Sequence, residues 1–397
     1  MKILAIETSC DDTCISIIEA KEKAGTPIPD FEILSNIISS QTEIHQEYGG
    51  VVPMLAKRAH EDNLVPVLRE SLKTASVLKD QKPSKIPDSK FQILKKLFYK
   101  EENLLDKFTE ITQIKRPSLD LIAVTHGPGL EPALWAGVNF ARALSYWWEI
   151  PLLGVDHMEG HIAANLLKSG EIVEFPAVCL AVSGGHTQLI LIKDINKYKL
   201  IGQTVDDAAG EGFDKVARLL GLGFPGGPEI SRLGKKGNSK AYKFARPMIN
   251  SKDYNFSFSG LKTSVLYKIK NLLGVKLNEI LEDEKLKELP LKTKQDIAAS
   301  FEQAAVDVLV SKTIKAAKEY QVKTIMLAGG VAANEELRKQ LREKIEKELP
   351  GTQYQIPSIG LSTDNAAMIA AAAYFRKDKA SLSRWKTLKA EAGLKIK

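Results

Sequence analysis

Several things that would fix a protein's class are scarce or missing in this chain. It has three cysteines in 397 residues, Cys10, Cys14 and Cys179. That is too few for a disulfide framework and points to a reducing compartment, the cytoplasm. No apolar run approaches the ~18 residues of a membrane span, Met368 to Phe375 being among the most apolar stretches, so no membrane association is expected. Met1-Lys2 leads straight into a strand-like run, and a secretory leader is not expected. No G-x-x-x-x-G-K-[ST] loop exists, which argues against a P-loop ATPase. Charge of neither sign dominates: the formal net charge is +7 and the pI near 9.0, which permits an acidic partner without identifying one.

What is present is ordinary globular material, 44% hydrophobic and 26% charged, long enough for two domains with separate cores. Ile3–Ile6 reads as a buried strand, followed by the polar loop Glu7 to Thr13 and a returning strand Cys14–Ile18. A third strand lies near Phe31–Ile38, and a helix then carries Leu64, Leu68 and Leu72 on one face. Residues 79–116 are lysine-rich, with ten Lys/Arg against six Asp/Glu and an amphipathic piece from Leu94 to Phe108, and read as an insertion. Strand Leu119–Thr125, the turn Gly127-Pro128-Gly129, a helix through Leu144 and strand Leu152–Val155 follow. This alternation implies a mostly parallel α/β core with function at the loops after strand ends.

The opening theme recurs at Ala177–Val182, Ser183-Gly184-Gly185-His186-Thr187 and Gln188–Ile192, which reads as a duplicated domain with its boundary near Gly170–Glu174. The expected organisation is 1–172, 173–363, and a C-terminal helix and basic tail over 364–397. Gly221 to Gly226 spells G-x-G-x-x-G, but it follows a helical segment and not a strand, so the dinucleotide reading fails. These glycines suit close approach of backbone to a ligand. Phe256 to Thr263 precedes a charged, poorly patterned region that runs to about Lys294, and a long helix runs from Asp296 to Tyr320. Gly329-Gly330 ahead of a helix from Glu335 offers free N–H groups to a phosphate or nucleoside.

The chemistry centres on His157-Met158-Glu159-Gly160-His161. With Asp156 as N-cap, a helix here stacks the two histidines on one face. Zinc proteases place a general-base Glu directly after the first His; here Met158 stands there and Glu159 lies about 100° further round the helix, so that reading is weak. Asp364, ahead of an alanine-rich helix, is the natural third ligand, and two imidazoles with a carboxylate suit Fe(II) or Zn(II) with open positions.

Together, Glu7 to Thr13, His45 to Pro53, Gly127 to Leu130, His157 to His161, Val182 to Gln188, Asp206 to Lys215, Pro225 to Gly227, Phe256 to Thr263, Gly329 to Asn334 and Thr363 to Met368 resemble the TsaD family. These are tRNA adenosine threonylcarbamoyltransferases of the actin/sugar-kinase/heat-shock-ATPase fold, with duplicated, RNase H-like mixed-sheet domains. The resemblance spans residues 1 to about 385. It implies transfer of a threonylcarbamoyl group from threonylcarbamoyl-adenylate to N6 of adenosine 37 in tRNAs reading ANN codons, with release of AMP. It implies His157, His161 and Asp364 as ligands of one divalent ion, Fe(II) before Zn(II). Ala181, Val182, Ser183, Gly184, Gly185, Asp214, Gly227 and Asn334 would hold the adenylate, and Asp11 and Asp12 match a loop linked to activity. Implied partners are tRNA, TsaB-like and TsaE-like subunits, and a TsaC-type synthase that makes the adenylate. Three features depart from the family: the 79–116 insertion, Glu131-Pro132-Ala133 after Gly-Pro-Gly-Leu, and Ala181 where Leu is common. The rival readings are an ATPase or small-molecule kinase of the same fold and a non-catalytic scaffold. The basic run from Arg376 to Lys397, with Arg384, Lys386, Lys389 and Lys395, is a candidate contact for tRNA phosphate.

Overall fold

A computed structural model describes residues 1–81, 86–167 and 173–396. The expected boundary near Gly170–Glu174 lies partly outside the described residues, as do 82–85 of the insertion and Lys397 of the tail. The chain forms two compact units. The first takes Met1–Ile44, Val51–Ile172 and Asp364–Ile396, the second His45–Gly50 and Val173–Thr363. The helix and tail after Asp364, set apart in the sequence reading, thus belong to the first unit.

In chain order the elements begin with β1 (Lys2–Glu7), β2 (Asp12–Lys21), β3 (Asp30–Ser40), α1 (Thr42–Gln46) and α2 (Pro53–Thr74). Next come α3 (Asp88–Leu97), α4 (Glu102–Ile111), β4 (Leu121–Gly127), α5 (Glu131–Trp148), β5 (Leu152–Asp156) and α6 (His157–Ala163). The first unit's sheet has the order β3-β2-β1-β4-β5. β1 pairs antiparallel with β2 and parallel with β4, so the sheet is mixed, as the family resemblance implied, and not mostly parallel as the alternation of elements suggested. The reason is local: a short polar loop can only return the chain antiparallel, whereas β4 and β5 are reached through helices. β1 and β4 are covered on both faces, which is why they read as unbroken apolar runs.

The insertion is part of this unit's core. Leu94, Leu97, Leu104 and Phe108 are buried, and the Phe108 ring meets Phe98 at 5.4 Å and Phe140 of α5 at 6.0 Å. The tail is docked too. Ser381 bridges to Leu152, Arg142 Nε donates to the Trp385 carbonyl, Leu388 is buried, and Glu391 N–H donates to the His126 carbonyl at 2.7 Å. Arg384, Lys386, Lys389 and Lys395 point outward from it.

The second unit repeats the plan with β6 (Ala177–Val182), β7 (Thr187–Asp194), β8 (Lys197–Gln203), α7 (Ala209–Leu219), α8 (Gly226–Gly234), α9 (Ser259–Leu272), α10 (Asp283–Lys287), α11 (Leu291–Glu319), β9 (Thr324–Ala328), α12 (Glu335–Glu348), β10 (Gln353–Gln355) and α13 (Ile359–Ser362). Its sheet order, β10-β9-β6-β7-β8, matches the first strand for strand, with β6 antiparallel to β7 and parallel to β9. α14 (Ala366–Tyr374) then closes the first unit.

One expectation fails here. The region after Thr263 is not without pattern: it holds most of a well-formed helix, α9, whose Leu261, Val265 and Ile269 form a buried stripe interrupted in sequence by lysines. Gly226 and Gly227 open α8, where Asp214 Oδ1 accepts the Gly226 N–H at 2.7 Å and so caps the helix from α7. Among the described residues, no helix is long and apolar enough to cross a membrane.

Candidate metal centre and glycine loops

α6 begins as its sequence suggested, with Asp156 Oδ1 accepting N–H from Met158 (2.7 Å) and Glu159 (3.3 Å). It lies close against α14 because residue 160 is glycine: a Cβ there would meet Ile369 Cδ1 at 2.6 Å. That approach brings Asp364, just ahead of α14, to the histidines. Asp364 Oδ1 is 3.2 Å from His161 Nε2 and 3.7 Å from His157 Nε2, and the rings are 4.5 Å apart at their centroids. One ligand atom from each of the three residues falls within 4.8 Å of the others.

The residues fit a divalent ion. His161 is fully buried, yet neither ring nitrogen has a hydrogen-bond partner of proper geometry. Leaving both nitrogens unsatisfied is costly, and a bound ion would relieve it. His157 is oriented from behind: Nδ1 is 3.0 Å from Glu7 Oε2 and 3.2 Å from Ser9 Oγ. Glu7, fully buried, also accepts from Thr125 Oγ1 and from the Ser9 N–H. Burial works against charge on His157, but Glu7 and Asp364 outweigh it and push its pKa up to about 9. Burial and the neighbouring His157 hold His161 below the usual imidazole value. Glu7 is the residue that the sequence reading missed. Its only signal was a carboxylate at the inner end of an apolar strand.

Glu159 faces away from this cluster's chemistry. Its carboxylate is gripped by Arg376 through two hydrogen bonds, Nε to Oε2 (3.2 Å) and Nη2 to Oε1 (2.5 Å). A general base cannot be tied up in this way, so the protease reading falls.

Asp11 and Asp12 sit at the β1–β2 hairpin. His60 braces that loop, with Nε2 3.1 Å from the Cys10 carbonyl and Nδ1 2.8 Å from Thr13 Oγ1. Burial, reinforced by Asp364 and Asp11 and partly offset by Ser40, raises the Asp12 pKa to about 7.

In the second unit the eight residues expected around the adenylate fall along a ring made by the end of β6, the Ser183–Gly185 turn, α7, the start of α8 and the turn ahead of α12. Ala181 and Val182 end β6 and are buried, and Ser183 to Gly185 turn the chain. Gly210, at the start of α7, lies against that turn, where a Cβ would be 2.5 Å from the Ser183 carbonyl. Asp214 joins α7 to α8, and Asn334 Nδ2 joins α8 to α11 through Ser231 Oγ (3.0 Å) and Glu302 Oε1 (2.7 Å). Gly329, at φ +86°, returns to Val182, whose carbonyl would be 2.4 Å from a Cβ. Asn334 Oδ1 caps α12 through Leu337 N–H, so its side chain builds the ring. The open positions are backbone: nothing lies within 4 Å of a Cβ built on Gly184, Gly185, Gly227 or Gly330.

Comparisons with known proteins bear on this arrangement. The sequence matches the family TsaD, tRNA N6-adenosine threonylcarbamoyltransferase, over residues 32–82 and 102–371. A protein of Thermosipho africanus (strain TCF52B) called tRNA N6-adenosine threonylcarbamoyltransferase is 43% identical over 396 residues, 100% of each chain. One of Listeria monocytogenes serotype 4b (strain CLIP80459) with the same name is 43% identical over 93% of this chain and 90% of its own. Among solved structures, full-length HypF in the phosphate- and nucleotide-bound form is similar at TM-score 0.52 and 14% identity, over 95% of this chain. T. kodakarensis HypF is similar at TM-score 0.51 and 14% identity, over 94% of this chain. This chain spans about half the length of those HypF chains, 46% and 48%, and the likeness is one of fold. With the two matching mixed sheets it establishes the actin/sugar-kinase/heat-shock-ATPase architecture.

Proposed function

We propose that this chain, which belongs to the TsaD family of tRNA N6-adenosine threonylcarbamoyltransferases, transfers a threonylcarbamoyl group from threonylcarbamoyl-adenylate to N6 of adenosine 37 in tRNAs reading ANN codons. The carrying observation is the match at 43% identity over the full length of a named relative. In this reaction the N6 amine bonds to the carbamoyl carbon, the anhydride C–O bond breaks, AMP departs and the amine loses a proton. The donor is already activated, so no nucleophilic serine or cysteine is needed.

His157, His161 and Asp364 would hold one divalent ion, Fe(II) before Zn(II), which supplies Lewis-acid polarisation of an oxygen. Glu7 fixes the His157 ring, so that Nε2 faces the ion site. The exposed backbone of Gly184, Gly185 and Gly227 would hold the adenylate, with the Gly227 N–H available to its phosphate while Asp214 holds the Gly226 N–H. Asp214 and Asn334 keep those loops in place. Asp11 and Asp12, in the β1–β2 hairpin, are the carboxylates offered for the reaction. TsaB-like and TsaE-like subunits, a TsaC-type synthase and a cytoplasmic location complete the reading. The outward cations of the docked tail are one candidate contact for tRNA.

The test is nucleoside mass spectrometry of unmodified tRNA incubated with the protein, its partner subunits and threonylcarbamoyl-adenylate. Appearance of threonylcarbamoyladenosine supports the reading. ATP turnover in the absence of tRNA, with no modified nucleoside, would favour the kinase or ATPase alternative.

A further inference from the structure

Between Glu229 and Asp253 the chain carries seven Lys/Arg and no acidic residue, and α9 adds three lysines, again with none. The fold lays these two stretches side by side. Phe244 is buried in the core of the second unit, Tyr242 N–H donates to Ser300 Oγ (3.2 Å), and Ala245 N–H donates to Ser264 Oγ of α9 (3.3 Å). The Asn238 N–H is held by Asp296 at 2.7 Å. Residues 238–246 are therefore pinned, not a free loop. Two pockets of about 430 and 480 Å³ open here and share Tyr242 and Lys243. The first adds Tyr267, Lys268 and Asn271, the second Lys240, Arg246 and Gln303.

The cations differ in how they are spent. Arg232, Lys235 and Arg246 are paired with Glu229, Glu335 and Asp307. Lys270 is buried on the carbonyls of Leu277 and Glu279. Asp307, the carboxylate beside the second pocket, is already neutralised by Arg246 at 2.6 Å. Among the described residues, Lys240, Lys243 and Lys268 have no acidic partner, and Lys268 Nζ lies over the Tyr242 ring at 4.9 Å. Tyr267 is 48% exposed beside them. Unbalanced cations around accessible rings are the pattern of single-stranded nucleic-acid binding, where ammonium groups take phosphates and rings take base faces. The C-terminal tail lacks the second half of that pattern, since its Trp385 ring is packed on Tyr146 at 4.7 Å.

We infer that the paired pockets around Tyr242 cradle a single-stranded part of the RNA substrate, with Lys240, Lys243 and Lys268 on phosphates and the exposed Tyr267 ring against a base. This rests on the tRNA reading above and locates one surface for it.

The test uses the full metal-loaded chain with its partner subunits and unmodified tRNA, titrated across salt. The triple variant Lys240→Gln, Lys243→Gln, Lys268→Gln should lose about 2 units of log–log salt slope, at ~0.7–0.9 per phosphate contact. Tyr267→Ala should weaken binding roughly tenfold at every salt concentration and leave the slope alone. Metal content and adenylate affinity should be those of the unsubstituted protein in both. If the unsubstituted protein modifies tRNA and the triple variant keeps its affinity and slope, the cradle is wrong and the function stands. If the triple variant instead loses a partner subunit while tRNA binding is intact, the patch is a protein-docking surface and the inference is overturned. An unsubstituted protein that binds no tRNA removes both.

Discussion

Glu7 stands directly behind His157, with Oε2 3.0 Å from Nδ1, and both carboxylate oxygens are occupied inside the fold. A histidine held at Nδ1 can offer only Nε2 to an ion, in one orientation. Glu7→Gln should therefore leave the fold intact but weaken metal binding about 10–100-fold. Chelator competition would measure this, and Co(II) substituted into the site should give a shifted visible spectrum. Unchanged affinity and an unchanged spectrum would make Glu7 a core residue only.

His161→Ala removes a ligand outright. The purified variant should be nearly metal-free by elemental analysis, and full occupancy would refute the assignment. Because the lost ring is buried, its thermal stability should be compared in metal-stripped protein.

The glycine ring separates positions that face open space from positions that face backbone. Gly184→Val and Gly227→Val should fold normally yet fail to bind an adenylate analogue in calorimetry. Gly329→Ala should do the reverse, costing about 1–3 kcal/mol of stability, since φ is +86° and the new methyl group would strike Val182. Normal adenylate binding by a folded Gly184→Val would make the loop purely structural.

The Glu159–Arg376 pair ties α6 to the segment after α14, with side chains only 10% and 19% exposed. Arg376→Met would strand a buried carboxylate and should cost roughly 3 kcal/mol. Adding Glu159→Gln should recover part of that loss in a double-mutant cycle. An unchanged unfolding midpoint in the single variant would show that the pair does not hold α6.

Asp12 gives a pH signature. Its folded pKa of about 7 lies above the unfolded value near 4, so the native state binds its proton more tightly. Stability contributed by that proton is present below about pH 4 and is lost as pH rises through 7. In metal-stripped protein, Asp12→Asn should be more stable than the parent by about 1–3 kcal/mol near pH 8 and indistinguishable near pH 4. Urea unfolding at the two pH values measures the difference, and a variant less stable near pH 8 would contradict it.

By itself the sequence determined whatever depends on neighbours along the chain. The i, i+4 spacing of His157 and His161 with Asp156 as cap required a helix with both rings on one face, and the strand–loop–strand echo of residues 3–18 at 177–192 required two like sheets. Its motifs also carried the family. Tertiary structure alone decided what depends on residues far apart. Glu7 meets His157 across 150 positions, and Glu159 meets Arg376 across 217, so neither pairing leaves a periodic trace. Of the lysines that hid α9 in the sequence, Lys262 and Lys268 lie beside its buried apolar stripe, and Lys270 is itself buried on the carbonyls of Leu277 and Glu279. Gly226 opens a helix because a carboxylate from α7 caps it, and the C-terminal segment is docked because Leu388 finds the core between β5 and α5. Burial and long-range hydrogen bonds are properties of the packed chain, and no local pattern encodes them.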